Sequence, residues 1–440
     1  MSEVFQVQSD LAERVAQALD VTLLEPERRA LQSRPTENME AYDYYLRGEE
    51  YFQRSGLEND FRIAIGMYEK AVELDPTFAL AYAQLSRAHA RMYWHFDRSE
   101  ECLAMAKQAV EKAFQLNPNL PEAHLALGHY YYRGHLDYDR ALEQFAIARK
   151  SQPNNTEVLS GIAWVQRKQG KFEQALANIK KASELDPLSN MLAWQVANTY
   201  NFLRKYPEAE RYYERAISLA PDLPAGYSHK AWLYLRWEGS TEKARAVLEE
   251  ALENIKSAEN AFVGTLATLD VFDGNYQEAL DRLSLKSGDT DGPDYFTVLQ
   301  YARIYGYMNK RELEKKCYDD ARSILESKIQ EQPEDARLHS SIGIAYAGLG
   351  RKEDAIREGK LGVELLPVSK DAWRGPSYVW DLARIYVMVG EFDAAVDQLE
   401  FLLSVPGPMS IPLLRLHPAW DPLREHPRFG DLLRRLNLPE

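Results

Sequence analysis

The chain has 440 residues, of which 45% are hydrophobic and 27% charged, and this composition excludes a disordered or collagen-like protein. Its 53 Lys and Arg residues against 67 Asp and Glu give a formal charge of −14, so we expect no nucleic-acid or anionic-membrane partner. Two cysteines exclude a disulfide framework, and neither a signal peptide nor an apolar run of about 18 residues occurs. We therefore expect a cytoplasmic protein with no inserted membrane helix.

The N-terminal segment, residues 1–35, is predicted to form an amphipathic helix and a linker. Apolar residues recur there every three or four positions, as Val4, Val7, Leu11, Val15 and Leu19. Such a stripe needs a partner, so we expect the segment to cap the fold that follows or to end an upstream domain of a longer protein. An uncovered stripe would also permit a homodimer through the terminal helices.

A 34-residue repeat follows, marked by Pro153, Pro187 and Pro221. Small residues stand twelve and five positions before each proline, with a larger apolar side chain between them, which is helical spacing. The small residues at the earlier position include Ala141, Ala175 and Ala209. The pattern predicts helix-turn-helix units, with units 1–7 in residues 36–287 and units 8–10 in residues 294–406.

Earlier in each unit an apolar residue and a small one precede an aromatic residue, as in Leu127-Gly128 with Tyr131 and Val196-Ala197 with Tyr200. This pattern resembles the tetratricopeptide repeat, a helix-turn-helix unit of 34 residues. The resemblance covers about residues 40–405. It implies an all-α fold, a right-handed superhelical α-solenoid of about ten units with terminal capping helices, and a role in protein binding.

Two segments interrupt or end the repeats. Lys286 to Pro293 has the composition of a loop, and residues 288–293 are predicted to be a hinge. The second helix of unit 8 is expected to be long, at about Glu312 to Gln330. Residues 407–440 are Pro-rich and are predicted to form a C-terminal cap, because an end repeat lacks one neighbour.

The resemblance also implies which residues face the inner groove, since the first helix of each tetratricopeptide unit lines it. The candidate peptide-binding residues are Arg87, Arg91, His129, Tyr132, Arg133, Trp164, Arg167, Lys168, Trp194, Asn198, Asn201, Phe202, Trp232 and Arg236. Aromatic residues and cations on one face of an acidic protein favour a protein segment with an acidic side chain or a free carboxylate. In the alternative interpretation, the aromatic residues pack between repeats and the charges are solvated.

No catalytic signature occurs, because the chain lacks a phosphate loop, H-E-x-x-H, C-x-x-C and G-x-S-x-G. His124, His129 and His135 are spaced by five and six residues and do not share a helix face, so we expect no metal site. We predict a binding scaffold without intrinsic catalysis and without a cofactor.

Both ends carry a narrower resemblance. The N-terminal Val4-Phe5 helix and the segment Leu416-His417-Pro418-Ala419-Trp420 are similar to bacterial multidomain regulators. In these a nucleotide cyclase, Ser/Thr kinase or winged-helix module precedes a TolB-like domain and tetratricopeptide repeats. This resemblance implies the alternative function, the regulatory C-terminal region of a signalling enzyme whose catalytic domain lies outside this chain.

Overall fold

Helices are the regular structure of this chain. The computed structural model describes residues 35–54, 57–255, 259–284 and 294–435, with positions 7, 10, 11, 13–15, 17 and 18. Across these ranges the chain forms helices and no strands, which confirms the predicted all-α fold. The predicted hinge at 288–293 lies outside the described residues. None of the described helices is long and apolar enough to cross a membrane.

Between residues 39 and 404, twenty α-helices of the described ranges form ten successive pairs, in agreement with the predicted ten units. Their bounds are α1 Met39–Arg54, α2 Glu58–Leu74, α3 Ala79–His95, α4 Glu100–Leu116, α5 Pro121–Tyr130, α6 Tyr138–Ser151, α7 Thr156–Lys168, α8 Phe172–Leu185, α9 Asn190–Phe202, α10 Tyr206–Leu219, α11 Pro224–Trp237, α12 Thr241–Asn254, α13 Glu259–Phe272, α14 Tyr276–Ser284, α15 Tyr295–Tyr307, α16 Arg311–Glu331, α17 Ala336–Gly348, α18 Lys352–Leu365, α19 Gly375–Met388 and α20 Phe392–Ser404. As the sequence indicates, α16 is the long second helix of the eighth pair.

Small residues allow the two helices of a pair to pack closely. In the third pair, a Cβ atom on Gly128 would lie 2.4 Å from a ring carbon of Phe145, and Ala141 and Ala148 are fully buried. A larger side chain at position 128 would collide with that ring. The small positions of the repeat are therefore the helix crossings.

In the third to tenth pairs, the turn between the two helices uses a left-handed residue. Gly350 and Gly390 have φ values of 76° and 80°, which glycine adopts without steric cost. Leu136, Arg204 and Asn309 take the same backbone region in other pairs. The left-handed backbone geometry of the turn is thus repeated from pair to pair, while the residue type that adopts it varies.

The third pair departs from the regular pattern. Its first helix ends in a π-helical turn, Tyr131–His135, which carries Tyr132 and Arg133. A π turn inserts one extra residue per turn and changes the direction of the side chains that follow, and such turns are frequent at functional sites. The sequence pattern had predicted an ordinary α-helix here.

The chain divides into two compact units. Unit 1 comprises residues 1–166 and 177–186, and unit 2 comprises residues 167–176 and 187–440. The boundary lies within the fourth helix pair, because residues 167–172 at its inter-helix turn contact residues 371–373, which belong to unit 2.

The C-terminal segment of unit 2 contains α21 Ile411–Leu416, a 3-10 helix Pro418–Leu423 and α22 Pro427–Arg435. Trp420 and Phe429 are fully buried and belong to one apolar cluster with residues of α19 and α20. The segment therefore covers the last helix pair, which is what a cap does for an end repeat.

Candidate functional site

Six of the predicted groove residues lie together on the first helices of unit 1, and we call them the inner-face cluster. They are Arg87 and Arg91 on α3, His129 on α5, Tyr132 and Arg133 on the π turn, and Trp164 on α7. The rings of His129 and Trp164 are 6.0 Å apart, and the Arg133 guanidinium lies 6.0 Å from the Trp164 ring. Successive first helices therefore bring these residues together, and their role in peptide binding stays a prediction.

Among the residues that the structure describes, one of the three arginines in the cluster, Arg87, forms an ion pair with a carboxylate. Arg87 Nη2 donates to Glu157 Oε1 at 2.5 Å. Arg91 instead lies over the ring of Phe61 at 5.0 Å, and its buried Nε atom has no hydrogen-bond partner. No ion pair joins Arg91 or Arg133 to another part of the chain that the structure describes.

Burial and mutual repulsion act on the same charges. Burial, followed by the nearby positive charge of Arg91, lowers the pKa of Arg133 to about 9. Burial, followed by the charge of Arg87, lowers the pKa of Arg91 to about 10. Burial and Arg133 also hold the pKa of His129 well below its usual range, so this imidazole is neutral at pH 7. A ligand anion beside Arg91 and Arg133 would offset this burial and repulsion, since an opposite charge favours the charged form of each arginine.

The cluster also contains an unused donor. The Trp164 Nε1–H group is buried and has no hydrogen-bond partner in the described structure. An indole N–H only donates, and a buried donor without an acceptor costs about 1–3 kcal/mol. A ligand acceptor at this point would remove that cost.

In unit 2 the chain itself contacts several of the predicted residues. Lys168 Nζ lies 3.0 Å from Asp371 Oδ2, and the Arg167 guanidinium lies 4.4 Å from the Trp373 ring. The Phe202 and Trp373 rings stack at 3.7 Å. Residues separated by about 200 positions thus form an internal contact where the resemblance implied a free groove.

Two predicted amides have a packing role. Asn198 Oδ1 accepts a hydrogen bond from the Tyr213 hydroxyl at 2.7 Å. Asn201 Nδ2 donates to the oxygen of that Tyr213 hydroxyl at 3.3 Å. Both amides are buried. Trp194, half-buried, meets the ring of His229 edge to face at 5.0 Å. For this helix the packing alternative describes the observed contacts.

The end of α20 and the residues that follow it, 402–409, lie against the end of α9 in unit 2. Arg204 donates hydrogen bonds to the carbonyl oxygens of Met409, Leu402 and Val405 at 3.0, 3.1 and 2.9 Å. The Gly407 N–H donates to the Phe202 carbonyl at 3.0 Å. These bonds hold the segment against the end of α9.

Trp232 and Arg236, the last two predicted residues, line a cavity of unit 2 with a volume of about 570 Å³. Arg303 and Arg384 line the same cavity, and sequence reasoning missed both. The sequence does contain a signal for both arginines. Arg303 and Arg384 directly follow Ala302 and Ala383, just as Trp232 directly follows Ala231 at the equivalent repeat position. The same positions in the eighth and tenth helix pairs are occupied by Arg303 and Arg384, so extending the predicted groove positions past the sixth pair identifies both arginines.

Comparisons with known proteins recognise tetratricopeptide repeats in this chain. The family model described as tetratricopeptide repeat matches residues 125–190 and 160–224. The mitochondrial import receptor subunit TOM70 of Rattus norvegicus is 28% identical over 81 residues, which are 18% of this chain and 13% of the receptor. The Homo sapiens receptor is 27% identical over 81 residues, with the same coverage. The chain thus spans 13% of the length of these curated relatives.

Several solved structures are similar to parts of this chain. A tetratricopeptide-repeat protein of Thermus thermophilus shares 17% identity, with a TM-score of 0.38, over 44% of this chain and 99% of its own. PilW, a type IV pilus biogenesis factor, shares 19% identity, with a TM-score of 0.39, over 49% and 94%. The human IFIT1 dimer with PPP-AAAA shares 18% identity, with a TM-score of 0.41, over 82% and 79%.

Proposed function

We propose that this chain is a cytoplasmic protein-interaction scaffold whose inner-face cluster in unit 1 binds a protein segment through an acidic side chain or a C-terminal carboxylate. The recognised repeats support the general role, because tetratricopeptide units are packing and binding modules rather than catalytic ones. The cluster supports the particular ligand.

The observation that carries the proposal is that two buried guanidinium groups, Arg91 and Arg133, form no ion pair among the described residues, and that Glu157, the carboxylate acting on both, is paired with Arg87. The chain has 14 more acidic than basic residues, yet neither arginine has a carboxylate partner among the described residues. Leaving a desolvated cation unpaired is costly, and a carboxylate gains most where such a cation is already in place. A carboxylate is therefore the ligand group that this cluster fits.

The other members of the cluster fit the rest of a peptide. Tyr132 is stacked on Trp94 at 5.8 Å, and Trp164 adds its unpaired N–H. Large, rigid aromatic groups beside arginines are the residue types that dominate protein interfaces. We expect an apolar side chain of the ligand to lie on these rings, with the ligand backbone accepting from Trp164.

A matched peptide array tests the proposal. The purified chain is applied to peptides synthesised with a free C-terminal carboxylate, with an amidated C-terminus, and with Asp and Glu replaced by Asn and Gln. We expect binding to require at least one carboxylate. The double substitution Arg91→Gln and Arg133→Gln should weaken it by about 2–5 kcal/mol, roughly 30-fold or more.

Arg149→Gln is the control, because Arg149 is an exposed arginine at the end of α6 in the same unit. It should leave peptide affinity within a factor of about two, as solvated charges contribute little. Equal binding to carboxylate and amide peptides, or unchanged affinity of the double variant, would contradict the proposed site.

A finer prediction concerns the indole donor. Trp164→Phe keeps an aromatic ring but removes the N–H, so the affinity of the selected peptide should fall by about 0.5–1.5 kcal/mol, a factor of roughly 2 to 12. Trp194→Phe, a half-buried indole of unit 2, is the matched control and should have no effect. Isothermal titration calorimetry with the selected peptide measures both; equal losses would remove Trp164 from the site.

We also propose self-association through the N-terminal helix. Val7, Leu11 and Val15 are helical and exposed, with exposed fractions of 62%, 60% and 48%. Replacing all three by Glu should convert a dimer into a monomer in light scattering, because an apolar stripe would become charged. An unchanged molar mass would show that this helix is no interface.

The regulatory region of a signalling enzyme stays the alternative prediction. Both the scaffold and the regulatory region would use the same repeats. Sequencing the coding region upstream distinguishes them, because only the regulatory region requires a catalytic domain there.

A further inference from the structure

The cavity of unit 2 is a second site, separate from the inner-face cluster. The first helices of the sixth to tenth pairs, α11, α13, α15, α17 and α19, line it together with the C-terminal segment. Its volume of about 570 Å³ lies within the roughly 300–1,000 Å³ of small-molecule sites. A molecule of nucleotide or small aromatic-acid size fits such a space.

Positive charge dominates this cavity. Arg236, Arg303 and Arg384 line it, and Asp381 is the one carboxylate among the described lining residues. Arg384 Nη1 lies 3.6 Å from Asp381 Oδ1, which is a long ion pair. Burial raises the pKa of Asp381, while the charges of Arg384 and Arg303 and a hydrogen bond from Ser340 oppose that shift. One carboxylate therefore faces three arginines in the described lining.

The remaining contacts leave guanidinium donors without an acceptor. Arg303 Nε donates to the Leu299 carbonyl of its own helix at 3.1 Å. Arg384 is 6% exposed, and its Nε atom is buried without a hydrogen-bond partner, as is Nε of Arg236. Unpaired buried donors that line a cavity indicate a missing acceptor.

The arginines also repel one another. Burial, followed by the charge of Arg384, lowers the pKa of Arg303 to about 10. Burial, followed by Arg384 and Arg303, holds the pKa of His417 well below its usual range. A second anion beside Asp381 would relieve this repulsion, since an opposite charge favours the charged form of each arginine.

The apolar part of the lining consists largely of aromatic rings. Trp232, Trp380, Phe272 and Phe296 line the cavity, and the Arg236 guanidinium lies 5.5 Å from the Trp232 ring. Inorganic ions alone would leave these rings unused. The lining therefore suits an organic body joined to an acidic group.

We propose that this cavity binds a small organic anion, whose carboxylate or phosphate lies on Arg303 and Arg384 and whose planar or apolar body lies against Trp232 and Trp380. The inference does not depend on peptide binding in unit 1, because it concerns other residues and another class of ligand.

Two dyes with the same ring system test the need for charge. The purified full chain is titrated with 8-anilinonaphthalene-1-sulfonate, an aromatic anion, and with N-phenyl-1-naphthylamine, its neutral counterpart. We expect saturable binding of one anionic dye per chain. The variant with Arg303→Gln and Arg384→Gln should bind the anionic dye at least about tenfold more weakly, through loss of charge-assisted hydrogen bonds, with little change for the neutral dye.

Arg311→Gln is the matched control, because Arg311 is exposed at the start of α16 in the same helix pair as Arg303. It should leave both affinities unchanged. Equal binding of the two dyes to the native chain, or equal affinity of the anionic dye for native and double-variant chains, would overturn the proposal.

Competition separates the possible sources of the anion. Displacement of the dye by adenosine monophosphate but not by adenosine assigns a phosphate ligand, and displacement by benzoate but not by benzyl alcohol assigns a carboxylate. If neither anion competes, or if only the acidic peptide selected on unit 1 does, the small-molecule proposal is wrong.

Thermal unfolding shows that the variants remain folded. Because each substitution removes one of several mutually repelling charges, the melting temperature of Arg303→Gln should be no lower than that of Arg311→Gln. If the double variant does not fold, Arg303→Gln and Arg236→Gln are compared singly, and both should weaken the anionic dye alone. Unchanged dye affinity in both folded single variants would equally reject the site.

Discussion

Replacing Asp371 by Ala should lower the free energy of unfolding of unit 2 by about 3–5 kcal/mol. Asp371 is fully buried, and its Oδ2 atom lies 3.0 Å from Lys168 Nζ. Its Oδ1 atom accepts hydrogen bonds from the backbone N–H groups of Trp373 and Arg374 at 3.0 and 2.9 Å. The substitution removes all three interactions and leaves the Lys168 ammonium buried without its carboxylate.

The lysine explains why the effect should be large. Lys168 is 5% exposed. Burial lowers its pKa to about 8, although the negative charge of Asp371 opposes this shift. Without that carboxylate the charged lysine must lose its proton or reach water, and either disturbs the contact between Arg167 and Trp373. The effect should therefore extend to the aromatic stack of Trp373 on Phe202.

Urea unfolding followed by circular dichroism measures the loss, and hydrogen exchange assigns it to residues 167–176 and 371–374. Asp354→Ala is the control, because Asp354 pairs with Arg351 and Arg357 on the protein surface, where ion pairs contribute about 0–1 kcal/mol. The double variant Lys168→Met with Asp371→Asn should lose much less than Asp371→Ala. A loss below about 1 kcal/mol for Asp371→Ala would mean that the pair does not hold this contact.

Trp420→Ala should destabilise the C-terminal end of unit 2 by about 3–5 kcal/mol. The Trp420 side chain is fully buried, its ring meets Trp380 edge to face at 5.3 Å, and Phe429 shares its cluster. Truncation would leave a cavity between the last helix pair and the segment that covers it. An end repeat without its cover should then exchange its amide protons first.

Hydrogen exchange of α19 and α20 and urea unfolding test this prediction together. Phe401→Ala is the control, because Phe401 lies on α20 but is 41% exposed, so its loss should be below about 1 kcal/mol. Equal effects of the two substitutions would show that the segment does not act as a cap.

The local architecture could be predicted from the sequence. The small residues at Gly128, Ala141 and Ala148 mark helix crossings, and the prolines mark the ends of pairs. Each helix pair contacts chiefly the pairs next to it in sequence. A periodic signal of about 34 residues is therefore enough to predict the helix pairs and their number. The same register brought the inner-face cluster of unit 1 together, since equivalent positions of successive first helices lie side by side.

The tertiary structure alone decided which of the predicted groove residues contact distant parts of the chain. Lys168 with Asp371, Phe202 with Trp373, and Arg204 with Met409 join positions that are about 170 to 205 residues apart. No periodic pattern encodes such pairs, because each depends on the small rotation accumulated over several repeats. The π turn at Tyr131–His135 and the convergence of Arg303 with Arg384 have the same origin: they follow from how helices pack in three dimensions, which a linear spacing of residue types does not contain.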